Sequence, residues 1–294
     1  MSNPTILSIP SPLDEIYLPI LELHKVRLFV KRDDLIHKEI SGNKWRKLKF
    51  NIEESINQGH STILTYGGPY SNHIYATAAA AKLFGLQSIG VIRGNYFKEQ
   101  SHTLKFAQDC GMKLKILSKA DFDKREEDWL KKQLQSEFGA FYDIPDGGAN
   151  DLGAKGCEEI VAEIKIEFDA ITVPCGTATT LKGIAKVLPK GKLALGFPAL
   201  KNSSTLEKSL QNTFLDNWKL IDSYHFGGYA KLNDNLRKFK ENFHHQTGIE
   251  LDLVYTSKMM FGLIDLIGKG YFSAGTTLVA VHTGGLQGNL SLET

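Results

Sequence analysis

The chain has 294 residues, of which 35 are basic and 33 acidic, and its formal net charge is +2. This length allows one large domain or two compact lobes, and the near-neutral charge gives no general reason to expect nucleic acid as a partner. Three widely spaced cysteines argue against a disulfide framework or a metal site, and the absence of a signal peptide or a long apolar run predicts a soluble cytoplasmic protein with no membrane partner.

Short apolar runs alternate with amphipathic segments along most of the chain, which is the pattern of βαβ units around a parallel sheet. We predict eight strands, which are, in chain order, VRLFVK (26–31), STILTY (61–66), SIGVIR (88–93), KLKIL (113–117), FYDIP (141–145), AITVP (170–174), KLALGF (192–197) and TLVAVH (277–282). This alternation predicts an α/β protein.

Helices are predicted between several of these strands. One begins near Lys44 and ends before Gly59, an alanine-rich one ends at Gly85, and the segment 258–270 forms another. The charged run at 121–133 is predicted to be one solvated helix. The glycine-rich segment 146–156 is predicted to be a loop that crosses between two lobes, with a ligand in the crevice between them.

The segment SGNKWRKLKF places Lys44 and several other cations in the first turns of a helix. Positive charge there opposes the helix dipole, and such broken rules often mark functional sites. An amine that is partly removed from water and close to other cations is more readily neutral, and a neutral amine adds to a carbonyl. Lys44 is therefore a candidate for a Schiff base, with a solvated basic helix start as the alternative.

In AITVPCGTATTLKG an apolar strand runs into Gly176, Thr177, Ala178, Thr179 and Thr180 before a helix. Backbone amides at such a helix start, joined by hydroxyls, can hold a phosphate, although the same residues could form a simple N-cap turn. The spacing matches neither a P-loop nor a dinucleotide fingerprint, so ATP and NAD are disfavoured.

Two other polar segments follow predicted strands or begin predicted helices. GGPYSNH presents Ser71, Asn72 and His73 at a helix start, which suits a carboxylate or a phenolate oxygen or else serves as a cap. In VHTGG, Thr283 ends a strand, and the glycines after it allow close approach of a ligand. VYTSK offers Tyr255 and Thr256, although a lone tyrosine is more often part of a core.

Together these motifs resemble the pyridoxal-phosphate enzymes of the D-cysteine desulfhydrase and 1-aminocyclopropane-1-carboxylate deaminase family. The motifs that carry the resemblance, which spans nearly the whole chain, are SGNKWRKL, GGPYSNH, IPDGGANDLGAKG, PCGTATTLKG, VYTSKMMFGL and HTGG. It implies the tryptophan-synthase-β-like fold, fold type II, with a large lobe from residues 1–46 and 155–294, a small lobe from 47–154, and pyridoxal 5'-phosphate between them. It also suggests a homodimer.

The resemblance implies a role for each motif residue. Lys44 joins the cofactor, Asn72 holds its phenolic oxygen, and Thr283 meets its pyridine nitrogen. The phosphate is held by Gly176, Thr177, Ala178, Thr179 and Thr180. The substrate carboxylate is lined by Ser71, Asn72 and His73, with Thr256 as a further substrate contact. Ser71 is a candidate for proton transfer, and Tyr229 and Tyr255 are candidates to assist catalysis.

The implied reaction is β-elimination from a small D-amino acid, with D-cysteine giving pyruvate, sulfide and ammonia. In the deaminase branch an acidic residue stands at the position of Thr256 and an apolar one at that of Thr283, so the sequence favours the desulfhydrase. The alternatives are a deaminase of aminocyclopropane-carboxylate, another pyridoxal-phosphate-dependent deaminase or racemase, a non-catalytic carrier of pyridoxal phosphate or another phosphate ester and, last, a nucleotide-dependent oxidoreductase.

The chain departs from the family pattern at a few positions. Tyr75 replaces a frequent arginine, Ala230 replaces a glycine after Tyr229, and the phosphate loop contains less glycine than usual. After HTGG the chain continues with Leu286, Gln287, Gly288 and Asn289, where the family commonly has proline or another small turn residue. These departures concern the substrate more than the cofactor.

Overall fold

The computed structural model of this protein describes residues 7–94, 100–201, 203–211, 213 and 215–291. Ten strands are found within these residues. They are β1 Leu13–Ile16, β2 Arg27–Lys31, β3 Thr62–Gly67, β4 Gln87–Arg93, β5 Lys113–Leu117, β6 Tyr142–Ile144, β7 Ala170–Cys175, β8 Leu193–Pro198, β9 Trp218–Leu220 and β10 Thr277–Val281. All eight predicted strands are present, while β1 and β9 were not predicted.

The strands form two separate sheets. The larger has the order β1-β2-β10-β7-β8-β9 and the smaller the order β5-β4-β3-β6. Every neighbouring pair is parallel except β1 with β2. Central strands such as β7 are buried along their whole length, as expected for a parallel sheet that is covered on both faces. This confirms the predicted α/β class.

Helices cover both sheets. They are α1 Pro19–His24, α2 Asn43–Asn57, α3 Asn72–Phe84, α4 His102–Asp109, α5 Lys119–Phe122, α6 Asp128–Phe138, α7 Asp151–Glu163, α8 Thr179–Val187, α9 Ser204–Gln211, α10 Asp234–Thr247 and α11 Thr256–Gly268. Short 3-10 helices are formed by Asp33–Leu35, Asp146–Gly148, Asp222–Tyr224 and Leu286–Ser291. No helix in the described ranges is long and apolar enough to cross a membrane.

Two predictions about segments between strands were wrong. The segment 146–156 is not a loop throughout, because the Asn150 side chain accepts a hydrogen bond from the Gly153 amide and starts α7. The charged run at 121–133 is divided between α5 and α6, since residues 123–127 form turns between them.

The small sheet draws all its strands from residues within the predicted small lobe, 47–154. Its helix α3 is rich in alanine, and small side chains such as Ala76, Ala79 and Ala80 pack in a core with Ile63 of β3. Two apolar clusters cover the large sheet, one of which includes Leu278 and the other Val279 of β10. The exact lobe bounds, which include residues outside the described ranges, stay a prediction.

Candidate active site

A cavity of about 520 Å³ lies where the carboxyl ends of strands from both sheets meet. It is lined by residues that directly follow or end β3, β4, β6, β7 and β10, which is the usual location of ligand sites in parallel α/β proteins. The predicted site residues that line it are Lys44, Ser71, Asn72, His73, Gly176, Thr177, Ala178, Thr180, Tyr229, Tyr255 and Thr283. The fold therefore brings together residues from five separate motifs.

Lys44 reaches the cavity because of the close approach of two backbones. Gly42 precedes α2 with φ +66°, and a Cβ on it would lie 1.9 Å from the carbonyl oxygen of Thr283. Only glycine tolerates both this conformation and this contact. The first turn of α2, which carries Lys44, is thus placed directly beside the end of β10.

The amine of Lys44 is strongly perturbed. Burial lowers its pKa from 10.5 to about 7, and the positive charge of Lys47 adds to this effect, while Asp146 opposes it. Close to neutral pH about half of the Lys44 side chains are therefore unprotonated, as the sequence argument from clustered cations required. A neutral amine in a cavity can act as a nucleophile or accept a proton.

The helix that carries Lys44 is anchored by a buried ion cluster. Arg46 is fully buried and donates to both oxygens of Asp33 at 2.6 and 2.7 Å, and to Glu163 at 2.8 and 2.9 Å. Lys31 donates to the same Glu163 at 2.6 Å. Two cations thus face two carboxylates, which satisfies the buried charges. The cluster ties α2 to α7 and β2, and so fixes the base of Lys44.

Lys47 is a cavity residue whose role was missed by the sequence analysis. It is buried, and its Nζ donates to Oγ1 of Thr177 in the predicted phosphate loop at 3.2 Å. Burial lowers the pKa of this amine as well. The spacing of three residues from Lys44, about one helical turn, was the signal that could have identified it.

The predicted phosphate loop forms the N-terminal end of α8. Ala178 adopts φ +59° at the N-cap, and no side chain in the described part of the chain caps the first amides of the helix. A free helix N-terminus with Lys47 beside it favours an anion. The hydroxyl of Thr179 is hydrogen-bonded to that of Thr177 at 2.9 Å and Thr179 does not line the cavity, so its contact with a phosphate stays a prediction.

Ser71 is the N-cap of α3 and lines the cavity. Its Oγ accepts from the backbone amides of His73 at 3.2 Å and Ile74 at 3.3 Å. Because these two bonds occupy its acceptor positions, the hydroxyl proton remains available for donation. Ser71 is therefore suited to donate a hydrogen bond or a proton, and poorly suited to remove one.

His73 is buried and electrically neutral. Burial lowers its pKa well below 6.5, and the nearby charges of Lys44 and Lys47 act in the same direction. Nε2 lies 2.9 Å from the hydroxyl of Thr65, which itself donates to the Ile144 carbonyl, so Nε2 carries the proton and donates. Nδ1 is buried, and none of the described residues forms a hydrogen bond with it. The imidazole therefore presents an acceptor, which does not suit the predicted contact with a carboxylate.

Asp252 organises the turn that carries Tyr255. Its carboxylate accepts from the backbone amides of Val254, Tyr255 and Thr256 at 2.8–2.9 Å. The hydroxyl of Thr256 also donates to Asp252 at 2.7 Å, and the Thr256 side chain is fully buried and does not line the cavity. Thr256 therefore does not meet the geometry predicted for a substrate contact.

Tyr255 and Tyr229 form a pair at the cavity. Their rings meet edge to face with centroids 6.1 Å apart. Burial raises the pKa of Tyr255 well above 10, and its hydrogen bond to Tyr229 adds to the effect. Burial also raises the pKa of Tyr229. Both phenols are therefore protonated at neutral pH and available as proton donors.

The structure adds three cavity residues that were not predicted to belong to the site. Arg93 ends β4, Asp146 follows β6, and Gln287 lies on the final 3-10 helix, where its Nε2 donates to Oδ1 of Asn72 at 2.9 Å. Burial raises the pKa of the Asp146 carboxyl group. No sequence spacing relates these residues, since the fold brings them together from distant segments.

The donor set fits a ligand that carries both a carbonyl group and a phosphate. The reactive amine of Lys44 and the buried Lys47 both belong to α2, and the N-terminal end of α8 lies beside Lys47. Nδ1 of His73 has no hydrogen-bond partner among the described residues, so a buried acceptor at this wall is left for a ligand. The cavity volume falls within the range of small-molecule sites.

Comparisons with known proteins agree with this site. The family model described as "Pyridoxal-phosphate dependent enzyme" matches residues 7–284. The chain is 31% identical to the "Bifunctional D-cysteine desulfhydrase/1-aminocyclopropane-1-carboxylate deaminase, mitochondrial" of Arabidopsis thaliana, over 95% of this chain and 77% of that protein. It is 30% identical to a "D-cysteine desulfhydrase" of Klebsiella pneumoniae, over 95% of this chain and 93% of that protein.

A solved structure described as an "ACC deaminase homologue" superposes with a TM-score of 0.85 at 28% identity, covering 98% of this chain and 95% of that one. A match over 98% of the chain includes the strands of both sheets. The predicted cofactor, pyridoxal phosphate, and the predicted fold are thereby confirmed. The chain belongs to the family of pyridoxal-phosphate-dependent enzymes that includes D-cysteine desulfhydrase and 1-aminocyclopropane-1-carboxylate deaminase.

Proposed function

We propose that this enzyme is a lyase that catalyses β-elimination from a small D-amino acid, with D-cysteine as the favoured substrate and pyruvate, sulfide and ammonia as products. The observation that carries the proposal is the Lys44 amine, which has a pKa of about 7 and faces the same cavity as Ser71 and Tyr255. It supplies a base at neutral pH, and the other two supply hydroxyl donors.

The cavity residues divide into groups that suit the parts of pyridoxal phosphate. Lys44 would be joined to the cofactor aldehyde, and Asn72 would face its phenolic oxygen. The phosphate would lie at the N-terminal end of α8, between the 176–180 loop and the buried Lys47. Thr283 would meet the pyridine nitrogen, because its side chain borders the cavity at the end of β10.

The substrate carboxylate would bind at the N-terminal end of α3. The helix dipole favours negative charge there, and the Ser71 hydroxyl has its proton free for donation. His73 would support this wall through its neutral ring and does not supply charge. A site with one fixed carboxylate position and about 520 Å³ in total suits a small amino acid beside the cofactor.

When bound, pyridoxal phosphate supplies an electron sink that stabilises negative charge on the amino acid. Lys44, released when the substrate amine takes its place, would accept the Cα proton, because about half of its amine is unprotonated near pH 7. Tyr255, held protonated by burial, would donate toward the departing thiol, with Tyr229 as its hydrogen-bonded neighbour. The Asp252 turn fixes the backbone of Tyr255 for this role.

The choice of D-cysteine depends on the ring-nitrogen position and on the relatives. A threonine hydroxyl at residue 283 does not hold the pyridine nitrogen protonated as a carboxylate would, which favours elimination over transamination. Relatives named for D-cysteine and for 1-aminocyclopropane-1-carboxylate are equally similar to the chain, at 30% identity each. Deamination of the cyclopropane compound is therefore the second candidate.

The test is product release by the pyridoxal-phosphate-loaded enzyme from D-cysteine, L-cysteine and 1-aminocyclopropane-1-carboxylate. We expect sulfide and pyruvate from D-cysteine, with Lys44→Ala reducing kcat by several orders of magnitude. Lys269→Ala, which changes an exposed lysine that pairs with Asp265, is the matched control. If only 1-aminocyclopropane-1-carboxylate yields ammonia, that compound replaces D-cysteine as the proposed substrate. If none of the three compounds yields a product, the proposed lyase activity is contradicted.

We also propose that the enzyme is a cytoplasmic homodimer divided into lobes at about residues 47 and 154. The support is the family resemblance and the confinement of the small sheet to residues between those bounds. A sedimentation-velocity run that gives a species near twice 32.7 kDa supports the dimer, and a monomer at all concentrations contradicts it.

A further inference from the structure

The amide of Asn72 is held by a second amide from a distant part of the chain. Nε2 of Gln287 donates to Oδ1 of Asn72 at 2.9 Å, across 215 residues of sequence. Asn72 begins α3 beside the small sheet, whereas Gln287 belongs to the turn after β10 of the large sheet. Both side chains line the cavity.

This bond decides which end of the Asn72 amide a ligand meets. A primary amide has one accepting oxygen and one donating NH2 group. Since Gln287 occupies Oδ1, the group left to interact with a ligand is the donor Nδ2. Without Gln287 the amide could rotate by half a turn, and Oδ1 would then face the ligand. An ionised oxygen on the ligand is stabilised by the first arrangement and repelled by the second.

The end of the Asn72 side chain packs closely against the turn after β10. A Cβ on Gly285 would lie 2.5 Å from Nδ2 of Asn72, so the NH2 group occupies space that only glycine leaves free. The backbone that carries Gln287 is fixed by Asn289. The side chain of Asn289 accepts from the Leu253 amide at 2.9 Å and donates to the Leu251 carbonyl at 3.1 Å. Gln287 is thus presented by a fixed backbone.

We propose that Gln287 is a positioning residue that orients the Asn72 amide, so that Nδ2 donates to the phenolic oxygen of pyridoxal phosphate. The inference rests on the proposed contact between Asn72 and that oxygen, and it goes further by assigning a function to the segment in which the chain departs from its family's usual sequence. Gln287 acts through Asn72 and does not itself touch the cofactor oxygen.

The test uses the cofactor-loaded protein and two substitutions of similar size. In Gln287→Glu the carboxylate accepts from Nδ2, which turns Oδ1 toward the cofactor. In Gln287→Leu the amide is left unfixed. The readouts are the pH titration of the visible absorption band of the bound cofactor, the dissociation constant of pyridoxal phosphate, and kcat and KM.

We expect the glutamate variant to raise the midpoint of the absorption titration by about one pH unit, because the ionised phenolic oxygen loses its donor. It weakens cofactor binding about tenfold. The leucine variant shifts the midpoint in the same direction by less and weakens cofactor binding by a few fold. The leucine variant also keeps the inference testable if the glutamate variant does not fold.

A double-mutant cycle separates positioning from direct contact. In an Asn72→Ala background, the uncharged substitution Gln287→Leu is expected to produce no further shift of the titration midpoint, because the side chain through which Gln287 acts is gone. An equal shift in both backgrounds overturns the inference, as does an unchanged midpoint when either substitution is made in the wild type. If the wild-type enzyme does not turn over D-cysteine but the Gln287 substitutions shift the absorption titration as expected, the proposed substrate is rejected and this inference stands.

Discussion

The low pKa of Lys44 can be measured directly in the protein freed of cofactor. A lysine of pKa 10.5 is unprotonated in roughly 0.03% of molecules at pH 7, whereas a pKa of about 7 makes that fraction about one half. The neutral amine is the form that reacts with acylating reagents. Lys44 is therefore expected to be labelled at pH 7 about a thousand times more readily than an ordinary lysine of equal access.

The assay is competitive labelling with trace acetic anhydride from pH 5 to pH 11, with a lysine amide in the same tube as the reference. Mass spectrometry of the peptide that contains Lys44 gives the extent of labelling at each pH. We expect a midpoint near pH 7. The Lys47→Met variant removes the neighbouring positive charge and is expected to raise the midpoint, although the larger effect of burial remains.

Protein stability gives an independent measure with a defined sign. The unfolded chain binds the Lys44 proton more strongly than the folded chain between pH 7 and pH 10.5, so this residue makes stability rise with pH in that window. The free energy of unfolding of the wild type minus that of Lys44→Met is expected to rise by up to about 5 kcal/mol between pH 7 and pH 10.5. A labelling midpoint near 10.5, or a flat difference in stability, would refute the reasoning.

Three further predictions concern the residues around the site. Arg46→Met leaves the buried Asp33 without its bidentate partner and is expected to lower the free energy of unfolding in urea by about 3–5 kcal/mol. Arg27→Met, which changes an exposed arginine, is the control and is expected to lower it hardly at all. An equal loss in both variants would contradict the stabilising role of the ion cluster. Lys258 donates to the carbonyls of His225 and Gly228 at 3.0 and 2.7 Å and so holds the turn before Tyr229. Lys258→Met is expected to lower the free energy of unfolding by about 1.5–3 kcal/mol and to speed proteolysis of that turn. Unchanged proteolysis would argue against the role of Lys258 in holding the turn. Ala230 adopts φ +52°, and Ala230→Gly is expected to raise the thermal midpoint slightly, whereas a lower midpoint would show that the methyl group packs favourably.

Most of the sheet could be predicted because parallel strands are continuous apolar runs. The strands that were missed lack this pattern. β1 contains Asp14 and Glu15 and lies at an antiparallel edge, and β9 has only three residues at the opposite edge. The start of α7 was mistaken for a loop, since Asn150 and its glycine neighbours are typical both of turns and of a helix N-cap.

The candidate site could be predicted only where a residue belongs to a local motif. Lys44, Ser71 and Thr283 were identified from strand-loop-helix junctions, and the fold places all of them on the cavity. The positions of Gln287 and Arg93 depend on the meeting of two sheets, which no local spacing encodes. The hydrogen bonds of Thr256 could not be foreseen either, because they depend on Asp252 being drawn into the same turn.

The identity of the cofactor-bearing lysine is the most direct test of the account. The purified protein is incubated with pyridoxal phosphate, reduced with borohydride and digested, and the peptide that carries the added pyridoxyl-phosphate mass is sequenced by mass spectrometry. The account predicts a single modified site at Lys44, within the segment 41–50, and loss of that modification in Lys44→Ala. Attachment at Lys47, Lys258 or another lysine in the wild-type protein would contradict it.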